Sequence, residues 1–474
     1  MVAKALSDQK YENVEASPVK SFFVSMLTRD ITLNDAMLDL LDNCVDGILR
    51  KRTKLTGEKP YKGFKAEITF NKDSFSIHDN CGGIPWDLHQ YAFRMGRANG
   101  RTHDPVGTVG VYGIGMKRAI FKMGRNCLIS TQCKKDNYEI EISKKWMNNE
   151  SDWSIPVRVG KKSMTEDGTT IVVGDLLPGI SNCFGPDNLS YTSDFITKVE
   201  THYAFIINKG FDVIVNGKKV IPKPIDLHFN DSSKQEKSIR PFIYKATVDE
   251  VDVFLAVGFS RPLPSKDDVE SSLEERRYST DQAGWTVVCN DRAVLYCDKS
   301  ELTGWGEAGV PQYHTQFIAI SGIVEFTSNN PSKLPTTTTK RGIDSNSQLY
   351  LQIKNKMREG MKMFIDYTNK WKTREKESRE QIKNTKAIPL TVFRHSIANT
   401  SIKFTKVSSK PGGMQYKPEL PTPPLTDQDS KKISFSKTIR EIKVVSSYLF
   451  DDDDIQPSKI GESCFDRVYK EARK

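Results

Sequence analysis

The sequence predicts an α+β protein of several domains. Three observations carry that prediction. The chain has 474 residues, enough for roughly two to four domains. Residues 1–215 mix helical and strand signals with most of the glycine-rich segments, and residues 216–345 are β-rich. Residues 346–386 then run without proline as a charged, helix-period segment.

Taken in order, a polar lead segment precedes a helix from about Leu33 to Arg50, where apolar residues recur at three- and four-residue spacing. Ala66–Phe70 and Phe75–His78 read as strands, followed by a glycine-rich stretch. Cys127–Thr131, Tyr138–Ile142 and Thr170–Val173 read as further strands. Asp212–Val220 is a hairpin about Asn216–Gly217, a pair that tolerates the positive φ of a tight turn. Trp285–Cys289 and Ala293–Tyr296 flank Asn290–Asp291 as a second hairpin, and Phe317–Phe326 is another strand. One long helix is expected over 346–386; its residues 351–386 hold 11 Lys/Arg against 5 Asp/Glu, which places most of the chain's net +10 there. Residues 387–474 read as an irregular tail, with Pro411-Gly-Gly and Pro418–Pro424 as linker and Asp451–Asp454 as a solvated loop.

Composition narrows the function classes. Hydrophobic residues at 37% and charged residues at 27% suit a soluble protein with a real core. No run approaches the ~18 apolar residues of a membrane span, and the polar N-terminus lacks the apolar stretch of a signal peptide. None of the eight cysteines forms a CxxC pair, so reduced thiols and a cytoplasmic location are expected. The mildly basic balance permits an anionic partner without demanding one.

Four segments bear on chemistry. On the first helix, Asp39, Asn43 and Asp46 fall within about 60° of one another, with Asp42 on the adjacent edge and Leu38, Leu41 and Val45 facing a core. A carboxylate and an amide oxygen are hard ligands of the kind Mg²⁺ takes alongside water and phosphate. Asp79-Asn80-Cys81-Gly82-Gly83 ends a strand with a carboxylate that can accept from an exocyclic amine, and its glycines leave room for a flat ring. Gly107-Thr-Val-Gly110-Val-Tyr-Gly113-Ile-Gly115-Met-Lys117 opens a helix, where backbone N–H groups and the dipole favour phosphate. It is neither a Walker loop nor a dinucleotide fingerprint. The fourth, Gly168-Thr169-Thr170, is a turn entering a strand and means nothing alone.

In this order and spacing the four segments resemble the GHKL ATPase superfamily of gyrase, the large heat-shock chaperones, histidine kinases and MutL. Its four motifs match at Asp39…Asn43, Asp79–Gly83, Gly110…Gly113…Gly115 and Gly168-Thr169. The resemblance implies a Bergerat-type α/β sandwich over 1–215 that binds ATP. It implies that Asn43 binds Mg²⁺, that Asp79 with Gly83 reads the adenine amine, and that Thr169 or Thr170 assists through hydroxyl and water contacts. Gly110, Gly113, Gly115 and Lys117 would close over the phosphates, with residues 87–109 as a lid. Asp39 stands where the family's general base is Glu, one methylene shorter, which implies slow hydrolysis. Cys81 stands where the first glycine of DxGxG is expected.

Residues 216–345 resemble a transducer domain. Leu334-Pro335-Thr-Thr-Thr-Thr-Lys340-Arg341-Gly342 resembles the loop that returns a lysine to the γ-phosphate, with Lys340 as the finger and Arg341 as the alternative. Gly284–Arg292 and Ile320–Phe326 look most like MORC proteins and related bacterial MutL-like ATPases. The function implied is an ATP-dependent, dimeric clamp or switch in DNA transactions or bacterial anti-phage or restriction defence. The leader Ser17–Arg29 would cross to the partner subunit and the basic helix would contact phosphates. The alternatives are a chaperone-like remodelling ATPase and a nucleotide-gated scaffold with little hydrolysis. A histidine kinase is disfavoured because His78, the first histidine, follows the first helix.

Overall fold

Thr32 starts the long helix over Leu33–Lys51: its Oγ1 accepts the Asp35 amide at 3.2 Å, satisfying one of the helix's orphan donors. The helix ends with Arg50 and Lys51 beside its exposed carbonyls. In this computed structural model, residues 18–51, 57–95, 114–160, 164–223, 225–230, 238–264, 282–337, 342–383, 385–398, 400, 402–424 and 433–474 are described. Contacts divide the chain into a unit ending at Thr422 and another beginning at Pro423. No helix among the described residues is long and apolar enough to cross a membrane.

The first helices are α1 (Lys20–Arg29) and α2 (Leu33–Lys51), followed by α3 (His89–Phe93), α4 (Gly115–Met123), α5 (Lys144–Asn148) and α6 (Pro178–Phe184). Helices α7 (Leu189–His202) and α8 (Ala204–Asn208) complete this half. Its strands are β1 (Lys65–Phe70), β2 (Phe75–Asp79), β3 (Gly124–Cys133), β4 (Asp136–Ile142), β5 (Val157–Val159), β6 (Gly168–Leu176), β7 (Asp212–Val215) and β8 (Lys218–Lys219). They form one sheet in the order β5-β4-β3-β6-β2-β1-β7-β8, antiparallel except where β7 runs parallel to β1. Ile68, Ile77, Ile129 and Val173 on one face share a core with Leu38, Leu41 and Val45 of α2, Ile120 of α4 and Phe195 of α7. Leu128 and Val172, on alternate positions, stay exposed. This is a two-layer α/β sandwich with one wet sheet face. The Asn216–Gly217 hairpin extends this sheet instead of opening the next region, because β7 pairs with β1 and leaves β8 at the edge.

The second half carries β9 (Asp226–Phe229), β10 (Phe242–Val248), β11 (Val251–Phe259), β12 (Gly284–Cys289), β13 (Arg292–Asp298) and β14 (Ile320–Thr327). It continues with α9 (Gln348–Trp371), α10 (Glu375–Lys383), β15 (Lys386–Pro389), α11 (Leu390–Ala398), β16 (Thr405–Lys406) and β17 (Met414–Tyr416). The second sheet runs β13-β12-β14-β11-β10-β17-β16, while β15 pairs with β9. Helix α9 covers one face. Gly360 lets it approach: a Cβ there would lie 2.5 Å from Phe242 Cδ1 and 2.6 Å from Val257 Cγ1. The other face is covered by Phe205 of α8, Leu227 of β9, and Leu390 and Phe393 of α11. Burial on both faces explains the near-continuous apolar runs of β11 and β12.

Two expectations are corrected. The single helix over 346–386 is two helices, because the apolar stripe of α9 ends at Trp371 and the next segment buries little beyond Ser378 and Ile382. The tail up to Thr422 is not irregular. Pro411-Gly412-Gly413 turns between β16 and β17, and β17 adds to the edge of β10. The proline run is strapped down by its carbonyls, Pro421 accepting from Trp371 Nε1 at 3.1 Å and Glu419 from the Ser238 amide at 3.2 Å. The strands concerned are too short to show a period. In the second unit, α12 (Ile439–Phe450) opens with a Thr438–Glu441 capping box, and Asp451 in the left-handed region closes it before α13 (Pro457–Ala472).

Two half-buried groups, Glu325 on β14 and His202 at the end of α7, have shifted proton affinities. Burial pushes the Glu325 carboxyl up from 4.5 to about 7, with Asp291 adding and Lys209 and Arg394 opposing. Burial drives His202 down from 6.5 to about 4, and Arg292 adds to this. The folded chain holds the Glu325 proton more tightly than the unfolded chain, so that contribution to stability falls as pH rises from 4.5 to about 7. The folded chain holds the His202 proton less tightly, so its contribution grows from about pH 4 to 6.5. The slopes oppose. Glu325→Gln is expected to steepen the rise of Tm with pH between 4.5 and 6.5. A profile identical to wild type would mean that Glu325 titrates as an ordinary carboxylate in the folded chain.

Candidate active site

Helix α2 lays out the site. Asp39, Asp42 and Asp46 are all buried, so its polar face is covered and not solvated. Arg118 of α4 explains part of that: its Nη2 donates to Asp39 Oδ2 at 2.6 Å, with 14% and 5% of the two side chains exposed. Gly115 starts α4 directly against this carboxylate; a Cβ there would stand 3.3 Å from Asp39 Oδ2. One turn on, the Asn43 Nδ2 is buried with no hydrogen-bond partner among the described residues. Such an amide costs free energy unless a ligand or water completes it.

The next residue ties α2 to the sheet. Cys44 Sγ donates to Asp79 Oδ2 at 3.5 Å, and the Cys81 amide donates to Asp79 Oδ1 at 2.7 Å. Burial raises the Asp79 carboxyl above 3.8, while bonds from Cys81, Cys44 and the Thr169 backbone pull it the other way. Burial and the neighbouring Asp79 hold Cys44 well above its usual range, so it stays a thiol donor. Cys81 is itself buried and accommodated at the position where glycine was expected.

Strand register separates the two threonines. Asp79 pairs with Thr169, and His78 with Thr170. Successive side chains point to opposite faces, so Thr169 shares the Asp79 side and Thr170 bonds His78 Nδ1 at 2.8 Å. Thr131 of β3 completes the wall: its Oγ1 lies 3.1 Å from Thr169 Oγ1 and accepts the Ile84 amide at 2.8 Å. Gly83 has φ +66°, and a Cβ there would fall 2.0 Å from the Gln132 carbonyl oxygen. Its lack of a side chain is thus demanded by β3.

The site is therefore a strip running Arg118, Asp39, Asn43, Cys44, Asp79, Thr169. Lys117 is buried, and its ammonium donates to the Ala92 carbonyl at 2.6 Å, tying α4 to α3. Gly110, Gly113, Lys340 and Arg341 lie outside the described residues, as do Arg97 and Arg101 of the lid. No pattern in the sequence marks Arg118, Cys44 or Thr131 as site residues. Arg118 follows Lys117 in the chain, and only the helix phase of α4 shows which of the two reaches Asp39.

A profile of the family described as histidine kinase-, DNA gyrase B- and HSP90-like ATPases matches residues 31–168. That span holds Asp39, Asn43, Asp79, Arg118 and Thr131, and ends at Gly168. This segment belongs to the GHKL ATPase superfamily. The comparison with curated proteins found no match. The GHKL domain's chemistry is ATP binding and hydrolysis. The residues fit that ligand: Asp79 beside Thr169 offers an acceptor at the end of β2, and Asn43, one turn from Asp39 on α2, holds a buried Nδ2 donor with no partner among the described residues.

Proposed function

We propose that this protein is an ATP-operated clamp with slow, Mg²⁺-dependent hydrolysis, working as a dimer in DNA transactions or bacterial anti-phage or restriction defence. The observation that carries the reading is the strip from Asp79 to Asp39, which supplies a base-reading carboxylate and a candidate general base together with a buried amide donor that has no partner among the described residues. Asp79 accepts from the adenine amine and Thr169 assists. Asn43 would hold Mg²⁺, which when bound neutralises phosphate charge. Asp39 takes the proton of the attacking water, oriented by Arg118. Lys340 closes the site from the second half at the γ-phosphate, and the glycine loop ending at Gly115 covers the phosphates. On this reading residues 1–215 and 216–345 act as ATPase and transducer domains.

Dimerisation is supported by α1. From Lys20 on, this helix packs on its own domain: the Lys20 ammonium donates to the Trp146 carbonyl at 2.8 Å and lies 3.7 Å from the centre of that indole. Its outer face keeps Val19, Phe22 and Met26 exposed, an i, i+3, i+7 stripe of the kind helices bury. The DNA reading rests on the basic helices. On α9, Lys354 and Arg358 pair with Glu307, and Lys356 pairs with Glu359. The exposed cations Lys370, Lys372, Lys376, Lys383 and Lys386 stand at the end of α9, on α10 and at the start of β15.

ATP turnover measured with and without double-stranded DNA over a salt series tests this. The expected result is stimulation at low salt that fades as salt rises, because phosphate contacts release counterions. Turnover indifferent to DNA at every salt concentration would turn the reading to a protein client. The Arg118–Asp39 pair favours one second reading, a nucleotide-gated scaffold whose candidate base is held by a guanidinium.

A further inference from the structure

The tip of the β12–β13 hairpin is built into the ATPase half. Asn290 and Asp291 take φ 46° and 66° in its turn, and Asn290 is pinned to Ser328 by bonds in both directions at 3.0 Å. Asp291 accepts from Tyr61 Oη at 2.9 Å and from Lys209 Nζ. Arg292 goes deeper. Its side chain and that of Asp42 are each 1% exposed, and its Nε donates to Asp42 Oδ1 at 3.0 Å. Its Nη1 donates to the His202 carbonyl at 3.0 Å, at the end of α7, and the guanidinium lies 4.2 Å from the centre of the Tyr203 ring. Tyr203 Oη lies within hydrogen-bond distance of Asp42 and, at 2.9 Å, of the Leu38 carbonyl, two acceptors for its one proton.

We infer that this tip is the linkage through which the second sheet sets the position of α2, and that Arg292 is a positioning residue for ATP hydrolysis. Asp42 lies between Asp39 and Asn43 in the chain, so gripping it fixes the turn of helix that carries both. A dry, directional network of this kind has few alternative geometries: α2 cannot roll without pulling Asp42 from Arg292 and leaving two buried charges unpaired. The opposite edge of β12 is parallel to β14, the strand that precedes α9 in the chain. A shift of the second sheet is thereby delivered to the proposed base. The inference rests on the ATPase reading above.

The test uses the full chain as wild type, Arg292→Met, Arg292→Lys and Asp291→Asn. It measures kcat and KM for ATP, the Kd of a non-hydrolysable analogue, and hydrogen exchange of residues 284–298 with and without that analogue. Misplacing a base by an ångström costs about 10- to 100-fold in rate. Arg292→Met should lower kcat by about that factor with analogue Kd within about twofold, and should uncouple exchange at the tip from nucleotide. Arg292→Lys, which keeps the charge but loses the planar fork, should fall between. Asp291→Asn removes no buried charge and serves if Arg292→Met does not fold; it should move kcat the same way by less. A folded variant with wild-type kcat and wild-type nucleotide-dependent exchange overturns the linkage. A wild type that binds the analogue without turnover removes the hydrolysis reading alone, and exchange then decides the linkage. A wild type that binds no nucleotide removes both.

Discussion

Asp79→Asn should abolish measurable ATP binding while leaving the fold intact. The carboxylate accepts from the Cys81 amide at 2.7 Å and from the Cys44 thiol, and an ionised carboxylate has about four lone-pair sites, leaving capacity for an incoming amine. In asparagine one oxygen must serve the Cys81 amide. The remaining NH₂ then faces another donor. Losing a charge-assisted hydrogen bond and leaving a buried donor unmet costs about 3 kcal/mol or more, at least about 100-fold in Kd. Stability changes less. Burial raises the Asp79 carboxyl, so the folded chain binds that proton more tightly than the unfolded chain. The neutral amide removes the cost of the ionised side chain, but its NH₂ leaves the Cys44 thiol without an acceptor, and the two effects oppose. The expected pair of results is a Tm at neutral pH close to wild type, and no saturable signal in calorimetric titration with an ATP analogue. An analogue Kd within about threefold of wild type would show that Asp79 does not read the base.

The parts of the fold that were legible in the sequence are those with local periodicity or turn chemistry. Helix α2 was readable because Leu38, Leu41 and Val45 repeat at helical spacing, and the hairpins because Asn216–Gly217 and Asn290–Asp291 accept positive φ. Asp39, Asn43, Asp79 and Thr169 were readable as residue types in a spaced pattern. What the pattern could not separate was Thr169 from Thr170, since that depends on which of them pairs with Asp79 across strands. Arg118 needed the phase of α4 against α2. The turn before Arg292 marks it as a candidate interdomain contact, but its mate Asp42 is 250 residues away and nothing local in the sequence joins the two. The end of α9 was hidden by composition: the basic residues continue past Trp371 while the apolar stripe that holds the helix down does not. Strand β16 has two residues, too few to carry any period.

Asp39→Asn should separate hydrolysis from binding. A general base contributes about 10²- to 10⁴-fold, so kcat is expected to fall by at least about 100-fold with analogue Kd within about twofold of wild type. Asp39 lies at the far end of the strip from Asp79, which is why binding should survive. Arg118 makes the experiment discriminating. Its Nη2 sits 2.6 Å from Oδ2, so that oxygen is committed to a guanidinium and proton transfer falls to the other oxygen or requires the pair to open. Asp39→Glu keeps the carboxylate and adds one methylene of reach, and should retain more turnover than Asp39→Asn. Wild-type turnover at background, unchanged by either substitution while the analogue still binds tightly, would assign the Arg118–Asp39 pair to structure and leave a nucleotide-gated scaffold. Turnover that survives Asp39→Asn would instead move the base elsewhere. Asp42 is a poor candidate for it, since its Oδ1 is already taken by Arg292 and Tyr203.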